Sequence, residues 1–397
     1  MIGAFLIPVM WIVLMILFRI VRNYLKSVHL GYLTIVAAVF LFGGPLAILG
    51  GFFIPSDMSA MLGGCKRTLI RIGFYWLGVM LYFVLALLMC GIIYFMLRPV
   101  LKKRYSKQLA RNLTALTVVA FTAVMSLYGI RNAHDLHVTE YEVDVDKDSV
   151  LDELNIVLIG DTHLGYNITV KQVAEMVELI NRQDPDVVLI AGDIFDNEYE
   201  AIEDPEEMIR LFQQIQSRYG TYAIWGNHDI QEKILLGFTF SWMNKEKHVV
   251  QADERMVEFV REAGIKTLYD QWARIEDIQL YGRPDKEKIN FGHTSRADVS
   301  EFMKDADAGK PIIVLDHEPS DSLILSQYPA DLYLNGHTHA GQMWPGTWTI
   351  HLFWDNAYGM KRYENLYNIV TSGVGLFGVN MRTDSIAEIV RIRVTFK

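Results

Sequence analysis

The hydrophobic positions of this chain follow two patterns, which divide it near residue 130. Before that point, long apolar runs alternate with short basic segments, and after it short apolar runs alternate with amphipathic stretches. About twenty consecutive apolar residues are needed for a helix to cross a bilayer. The first pattern therefore predicts an N-terminal region of four transmembrane helices, at residues 2–18, 30–54, 69–97 and 113–130.

The second pattern is typical of an α/β protein. Five short runs rich in Val, Ile, Leu and Tyr predict strands buried on both faces, at residues 155–160, 186–191, 222–226, 312–316 and 331–335. Apolar residues at helical spacing predict helices at 170–182 and 206–219 between them. Further strands are expected at 347–354, 366–372 and 387–396, and they indicate a second sheet. The predicted organisation is a transmembrane domain at 1–130, a linker or leading strand at 131–152 and a soluble domain at 153–397.

Charge follows the same division. Residues 1–130 contain twelve Lys or Arg and a single acid, Asp57, for a net charge of +11, whereas residues 131–397 contain twenty-five basic and forty-five acidic residues, for a net charge of −20. The acidic balance argues against a nucleic-acid substrate, because phosphate backbones are bound chiefly by Lys and Arg. Both cysteines, Cys65 and Cys90, lie in the first part, so the second part has no thiolate metal ligand.

The basic segments also predict an orientation. They follow the first and third apolar runs, which places them on one side of a four-span topology. Lys and Arg near the ends of spans are retained in the cytoplasm. We therefore expect a multi-pass protein of the cell membrane, with the large C-terminal part outside the cytoplasm.

Each of the first five predicted strands of the soluble part ends in a polar cluster. The clusters are GDTH, GDIFD, GNHD, DHEP and GHTHAGQ, and they supply Asp161, His163, Asp193, Asp196, Asn227, His228, His317, His337 and His339. Loops that follow the strands of an α/β sheet meet at its carboxyl edge. Two members of a pair such as His337 and His339 lie two positions apart, and on an extended chain they would point to the same side.

These residue types are metal ligands. Carboxylate, imidazole and amide oxygen without thiolate suit divalent Mn, Fe or Zn, with Mg also compatible. Two such ions about 3.5–4 Å apart clamp a phosphoryl group and activate a water molecule. The predicted reaction is hydrolysis of a phosphoester.

The ordered set of clusters resembles the calcineurin-like metallophosphoesterase superfamily, and the GHTHAGQ form is similar to its membrane-associated bacterial branch. The resemblance spans residues 153–382 and implies an αββα sandwich of two mixed sheets and a metal-dependent phosphoric ester hydrolase with two divalent metal ions. It also implies the ligands: Asp161, His163 and His339 for the first metal, Asn227, His317 and His337 for the second, and Asp193 as the bridge. His228 would protonate the leaving oxygen or stabilise the transition state, and Asp196 would orient its ring.

Several points stay open at the level of sequence. Asn197 stands where protein phosphatases of the superfamily have a phosphate-binding Arg, which argues against a protein substrate. Arg283 and Arg382 are either phosphate binders or surface residues, and surface residues are the commoner case. We expect a phosphodiester, phosphomonoester or pyrophosphate as substrate, and lipid head groups, other envelope phosphoesters and small secreted phosphates all remain open, with a lipid-linked phosphodiester or pyrophosphate ranked first.

The alternative to an enzyme is a pseudoenzyme that serves as a membrane-coupled binding or sensing module. Residues 231–253 form either a packed loop or a loop that touches the bilayer or the substrate, and the packed loop is favoured. The sequence predicts no particular protein partner.

Overall fold

A computed structural model describes residues 2–54, 59–104, 106–232, 234–235, 238–239, 253–286, 288 and 295–397. The chain divides into two compact units. One unit contains the described residues up to 127 together with 234–235, 238–239 and 378–380, and the other contains residues 128–232, the described residues between 253 and 377, and residues 381–397.

The first unit consists of long apolar helices. They are α1 (Ile2–Ser27), α2 (Thr34–Phe53), α3 (Ser59–Arg104) and α4 (Lys107–Asn132), the last of which continues into the second unit. All four are long and apolar enough to cross a membrane, which confirms the predicted number of apolar helices. Leu14, Leu17, Leu41 and Met80 form a buried cluster, and the indole N–H of Trp76 donates a hydrogen bond to the Phe40 carbonyl at 2.6 Å.

The predicted ends of these helices were wrong at the basic segments. α1 continues to Ser27 and not only to residue 18, and α4 begins at Lys107 and not at residue 113. The basic residues assigned to loops therefore lie largely within helices. Lys and Arg are good helix formers, so a change from apolar to basic residues ends the apolar run without ending the helix.

The second unit contains most of the strands. In chain order its elements, together with the short strands β5 and β6, are β1 (Leu136–Val145), β2 (Glu153–Ile159), α5 (Val170–Arg182), β3 (Val187–Ile190), α6 (Pro205–Phe212), β4 (Thr221–Ala223), β5 (Ile234–Leu235), β6 (Phe238–Thr239), α7 (Glu254–Glu262), β7 (Lys266–Thr267), β8 (Gln271–Ile275), β9 (Ile278–Gly282), α8 (Val299–Phe302), β10 (Ile312–Leu315), α9 (Ser322–Leu325), β11 (Leu332–Asn335), α10 (Gly346–Thr349), β12 (Gly359–Tyr363), β13 (Leu366–Val370) and β14 (Ala387–Phe396).

The strands form two mixed six-stranded sheets, as the sequence predicted. The first has the order β1-β14-β2-β3-β4-β7, and the second has the order β12-β13-β11-β10-β9-β8. In the first sheet only β14 and β2 pair antiparallel, whereas in the second the outer strands β8 and β12 are antiparallel to their neighbours. β2, β3 and β4 therefore run parallel, as do β10 and β11, so the loops after them emerge at carboxyl edges.

Successive side chains along a strand point to opposite faces of the sheet, and this alternation builds the core between the two sheets. Ile156 and Leu158 of β2 join the cluster between the two sheets, whereas Val157 and Ile159 join the cluster under α5, α6 and α7. Full burial of each such side chain stabilises the fold by about 1.5–3 kcal/mol. A third cluster packs α8 and its neighbours on the outer face of the second sheet, which completes the αββα arrangement.

Of the predicted elements, one helix is confirmed, one helix is shorter than predicted and one strand lies in the other sheet. α5 occupies the predicted residues 170–182, and a capping box between Thr169 and Gln172 fixes its start. α6 ends at Phe212, seven residues before the predicted end. β14 lies in the first sheet, although the C-terminal strands had been expected to build the second.

The strand predicted at residues 347–354 was wrong, because the segment forms α10 followed by a 3-10 helix at Ile350–Leu352. Aromatic and β-branched residues favour strands only where they pack on a sheet. Here Trp348, Leu352 and Phe353 are exposed. Of residues 231–253, β5 and β6 pair antiparallel, while 240–252 lie outside the described residues, so neither interpretation of that segment is tested.

Candidate metal centre

The loops after β2, β3, β4, β10 and β11 bring all nine predicted residues together. Asp161, His163 and His339 form one group of possible ligands, whose nearest donor atoms lie within 4.8 Å of one another. In this group Nε2 of His163 is 3.0 Å from Nε2 of His339, and the latter atom is 3.6 Å from Oδ1 of Asp161. Three donor atoms from two loops, those after β2 and β11, thus face a common point.

A second group contains Asp193, His317 and His337. Asn227 belongs with it, since its Oδ1 atom is 3.1 Å from Nε2 of His317 and 3.0 Å from Nδ1 of His337. Oδ2 of Asp193 is 3.1 Å from Nε2 of His317. The same oxygen is 3.7 Å from Nε2 of His163, so this carboxylate faces both groups.

The donor set fits metal ions in a further respect. Nδ1–H of His317 donates a hydrogen bond to the Ala191 carbonyl at 2.7 Å, and because a carbonyl only accepts, Nε2 is the atom left to face the centre. A histidine ligand is commonly fixed in this way by a hydrogen bond from its other nitrogen. The carboxylates of Asp161 and Asp193 and the rings of His163, His317 and His339 are buried, and a cation would compensate the charge of the carboxylates.

Electrostatics in the centre follow from burial and crowding. Burial raises the pKa of Asp161 to about 6. Burial, together with the nearby charge of His317, lowers the pKa of His337 to about 3 and so favours the neutral imidazole that metals bind. Burial opposes ionisation of Asp193, but the neighbouring histidines, His317 foremost, hold its pKa well below the usual value.

Left-handed backbone directs these side chains into the centre. Asp161, His163, Asp193, His337 and His339 have φ values of 53°, 45°, 49°, 72° and 50°. Such values are uncommon outside glycine and cost of order 1–3 kcal/mol each, so they persist where the surrounding structure enforces them. The paired residues therefore converge through tight turns, and the expectation of an extended chain at these pairs was wrong.

Two glycines of the clusters allow the loops to approach this closely. A Cβ atom added to Gly226 would lie 2.2 Å from Oδ1 of Asp193, and one added to Gly336 would lie 2.4 Å from Oδ2 of Asp161. No side chain fits at these distances. The glycines of GNHD and GHTH are therefore required by packing against the carboxylates.

His228 lies at the edge of the two groups. Its backbone N–H donates to Oδ1 of Asp193 at 2.7 Å, and its Nδ1 atom is hydrogen-bonded to the side-chain oxygen of Asn197. Oδ1 of Asp196, the residue expected to orient this ring, is 3.7 Å from Nδ1 of His228 and 3.7 Å from Nδ1 of His163. Asn197 is thus the closer partner, a contact that the sequence did not indicate.

The sequence also did not indicate an aromatic wall beside the histidines. The Phe377 ring lies 5.1 Å from the ring of His228 and 6.1 Å from that of His163. The Gln342 side chain holds Phe377 by accepting its N–H at 2.9 Å and donating to its carbonyl at 3.1 Å. Gln342 ends the GHTHAGQ cluster, whereas no pattern marked Phe377.

Asp229 is a further buried acid, and it joins two of the loops. Its carboxylate oxygens accept the N–H groups of Phe195 at 2.8 Å and Gly226 at 2.7 Å. Burial raises its pKa to about 7. The last residue of GNHD therefore positions the loops after β3 and β4 and lies behind the ligands.

The expectation that Arg283 and Arg382 are surface residues was wrong, because they are 2% and 0% exposed. Arg283 pairs with Asp316 at 3.0 Å and with Asp321 at 2.6 Å. Arg382 donates to the carbonyls of residues 372, 373 and 375 and lies 3.4 Å from Nδ1 of His339. Protein groups thus occupy most donors of both guanidinium groups, which support the loops from within.

A cavity of about 360 Å³ opens beside the centre. Its lining includes His163, Asp193, Asn227, His228, His337, His339, Gln342 and Phe377. This volume lies within the range of small-molecule sites. The candidate ligands therefore face a space that a phosphoester group can enter.

The chain is similar in sequence to known proteins. The family model for calcineurin-like phosphoesterases matches residues 154–341. A transmembrane protein with metallophosphoesterase domain from Danio rerio is 31% identical over 293 residues, which are 70% of this chain and 62% of that protein. An uncharacterized metallophosphoesterase of Helicobacter pylori is 28% identical over 258 residues, 64% of this chain and 63% of that protein. A dimetal phosphatase from Danio rerio aligns with a TM-score of 0.33 and 10% identity, over 55% of this chain and 87% of that one.

Residues 154–341 thus form a calcineurin-like phosphoesterase domain, and the superfamily predicted from the clusters is confirmed. The superfamily consists of dinuclear, metal-dependent phosphoric ester hydrolases, which agrees with the predicted class of enzyme. The chain spans about three-fifths of the length of the two sequence relatives.

The position of Asp193 generates a prediction about metal content. Because its carboxylate faces both ligand groups, Asp193→Asn is expected to lower the occupancy of both metal sites together. Elemental analysis of the purified full chain measures the metal-to-protein ratio. Asp204→Asn, which retains a good helix cap on the surface, serves as the control. An unchanged ratio in Asp193→Asn would contradict a bridging role.

Proposed function

We propose that the chain is a membrane-anchored, dinuclear metal-dependent phosphoesterase. The observation that supports this most directly is the Asp193 carboxylate, which faces two groups of ligand atoms beside a cavity. In this proposal Asp161, His163 and His339 hold one ion, Asn227, His317 and His337 hold the other, and Asp193 bridges. When bound, the ions would polarise the phosphoryl oxygens and lower the pKa of a water molecule.

The proposed catalytic group of the chain itself is His228. It lines the cavity, and the Asn197 side chain restrains its ring through Nδ1, which leaves Nε2 for the substrate. Burial lowers the pKa of His228, and the negative charge of Asp193 only partly offsets this effect. Its assigned role is to protonate the leaving oxygen or to stabilise the developing charge, with Asp196 and Asn197 as positioning residues.

Among the substrates left open, we place a phosphodiester first. The described residues that line the cavity include no Lys or Arg, and Asn197 replaces the arginine expected in protein phosphatases. A phosphodiester carries one negative charge at neutral pH, whereas a phosphomonoester carries nearly two. A site whose positive charge comes from its metal ions is better matched to the singly charged ester.

An exposed apolar surface favours a lipid or lipid-linked substrate. Trp348, Leu352 and Phe353 are 66%, 82% and 77% exposed, and we call these three residues the apolar ledge. The same segment continues to Trp354, whose ring lies 5.4 Å from that of His337. Exposed Trp, Leu and Phe side chains are suited to the interface of a bilayer. The ledge thus supports an amphiphilic substrate whose phosphate reaches the metal centre.

The proposed location is the cell membrane, as a multi-pass protein with its catalytic domain outside the cytoplasm. The basic ends of α1 and α3 and the basic start of α4 lie on one side of a four-helix topology. The phosphoesterase domain follows the other end of α4. Retention of Lys and Arg in the cytoplasm favours this orientation.

The proposed role of His228 predicts a loss of turnover without loss of metal. We expect His228→Ala to lower kcat by about 10²–10⁴-fold, the usual contribution of general acid catalysis. Metal-depleted full chain is assayed on bis-p-nitrophenyl phosphate and p-nitrophenyl phosphate after Mn, Zn, Fe or Mg is restored. His137→Ala, an exposed histidine of β1, is the control.

The outcomes of that assay separate the alternatives. Metal-dependent cleavage of the diester that needs His228 supports the proposal, and preference for the monoester would reverse the order of substrates. Near-normal activity of His228→Ala would remove its assigned role. A purified chain that binds no metal would favour a pseudoenzyme.

The apolar ledge predicts a selective effect on membrane substrates. Trp348→Ser, Leu352→Ser and Phe353→Ser combined should reduce hydrolysis of a phosphodiester lipid in vesicles at least tenfold, since each lost apolar contact weakens interfacial binding. Cleavage of the soluble bis-p-nitrophenyl ester should stay within about twofold. Leu323→Ser with Ile324→Ser, exposed apolar residues of α9, controls for surface changes in general. Equal losses on both substrates would contradict a role in lipid contact.

The proposed orientation predicts which residues an impermeant thiol reagent reaches in intact cells. In chains that carry Cys65→Ser and Cys90→Ser, Gln216→Cys in the phosphoesterase domain should be labelled, and Ser106→Cys before α4 should be labelled only after permeabilisation. The physical basis is retention of basic helix ends in the cytoplasm. The reverse pattern would place the catalytic domain inside.

A further inference from the structure

The first unit, formed mainly by the apolar helices α1 to α4, contains a groove that none of the candidate metal ligands line. It lies between α1, α3 and α4, near the start of α4, and has a volume of about 510 Å³. Apolar side chains such as Phe83, Leu87 and Val118 line one part of it. Tyr24, Tyr94, Lys107 and Arg111 line the other part, so the groove is apolar towards one end and cationic towards the other.

The length of the groove matches one leaflet of a bilayer. Along α4 its lining extends from Lys107 to Val119. These twelve residue steps correspond to about 18 Å at the helical rise. The hydrocarbon core of a bilayer is about 30 Å thick, so half of it is about 15 Å. Tyrosines beside the cations are suited to the headgroup level.

At the cationic end of the groove, no acidic side chain among the described residues pairs with the positive charge. Lys107 and Arg111 are four positions apart and therefore lie on the same face of α4. Neither side chain has an ion pair or hydrogen bond to another described residue, and residues 1–130 contain a single acid, Asp57. Both cations also occupy the first turns of α4, where the helix dipole is positive and favours an anion.

We propose that this groove binds one anionic phospholipid. Its phosphate lies between Lys107 and Arg111, and an acyl chain runs between α1, α3 and α4 towards Val118. Charge complementarity selects an anionic headgroup, because basic pockets between transmembrane helices bind acidic headgroups and each Lys or Arg near the membrane surface strengthens attraction to anionic lipid about fivefold. The site is separate from the metal centre in its residues and in its chemistry, and its occupant is bound and not hydrolysed.

Gly91 and Cys90 provide ways to test this groove. Both line it, and a Cβ atom added to Gly91 would meet nothing within 4 Å, so the position faces open space. Gly91→Leu would fill that space without altering any charge. Cys90 is a free thiol, and Cys65→Ser makes it the single thiol of the chain.

The experiment measures lipid retained by the purified full chain in detergent with equal amounts of phosphatidylglycerol and phosphatidylcholine, by native mass spectrometry. We expect phosphatidylglycerol to be retained preferentially, and to slow maleimide labelling of Cys90 in the Cys65→Ser chain. Lys107→Gln with Arg111→Gln should lower that preference roughly tenfold or more. Lys26→Gln with Arg98→Gln removes the same charge at the same end of the bundle, from exposed residues outside the groove lining, and should retain the preference.

Three results would overturn the proposal. They are equal retention of the two lipids by the unaltered chain, an equal loss in both charge variants, and unchanged phosphatidylglycerol retention in Gly91→Leu. The Gly91→Leu chain and the Cys90 labelling rates decide the question even if the Lys107→Gln/Arg111→Gln chain fails to fold, which size-exclusion chromatography and circular dichroism would reveal.

Discussion

The burial of the Asp193 carboxylate is the constraint on which the architecture of the site depends. Its Oδ1 atom accepts the backbone N–H of His228, and its Oδ2 atom faces His317 and His163. A carboxylate removed from water costs several kcal/mol unless hydrogen bonds and positive charge compensate it. The loops after four strands therefore have to be positioned around one side chain, and the absence of a side chain at Gly226 is part of that positioning.

The two-sheet sandwich stabilises the strained backbone of the candidate ligands. Five of the candidate ligands have left-handed backbone, which a flexible loop would relax. Here the strands that precede them are buried on both faces, and the side chains of Asp229, Arg283 and Arg382 are bonded to the connecting loops or to acids beside them. The strain is thus maintained by a large core whose many buried side chains outweigh it.

The two proposals for the chain, the lipid groove of the first unit and the apolar ledge of the phosphoesterase domain, both involve contact with an amphiphile, but by different means. The proposed lipid groove combines an apolar channel with two cations that have no ion pair among the described residues, so that charge selects the headgroup. The apolar ledge offers exposed aromatic side chains next to a centre whose positive charge would come from metal ions. Recognition by fixed cations suits a bound lipid, whereas recognition through metals suits a phosphate whose bonds are to be broken.

The sequence by itself determined the division into an apolar basic part and an acidic α/β part, the number of apolar helices, the strands buried on both faces and the polar clusters that supply the candidate metal ligands. These features are local: they depend on hydropathy, on periodicity and on clusters that directly follow strands. Tertiary structure alone decided that β14 joins the first sheet, that residues 347–354 form no strand, that Arg283 and Arg382 are buried, and that Asn197 and Phe377 lie beside His228. Each of these features depends on residues that are distant in the chain. Packing determines which face a segment buries and which group a side chain contacts, and the adjacent residues in the sequence do not reveal it.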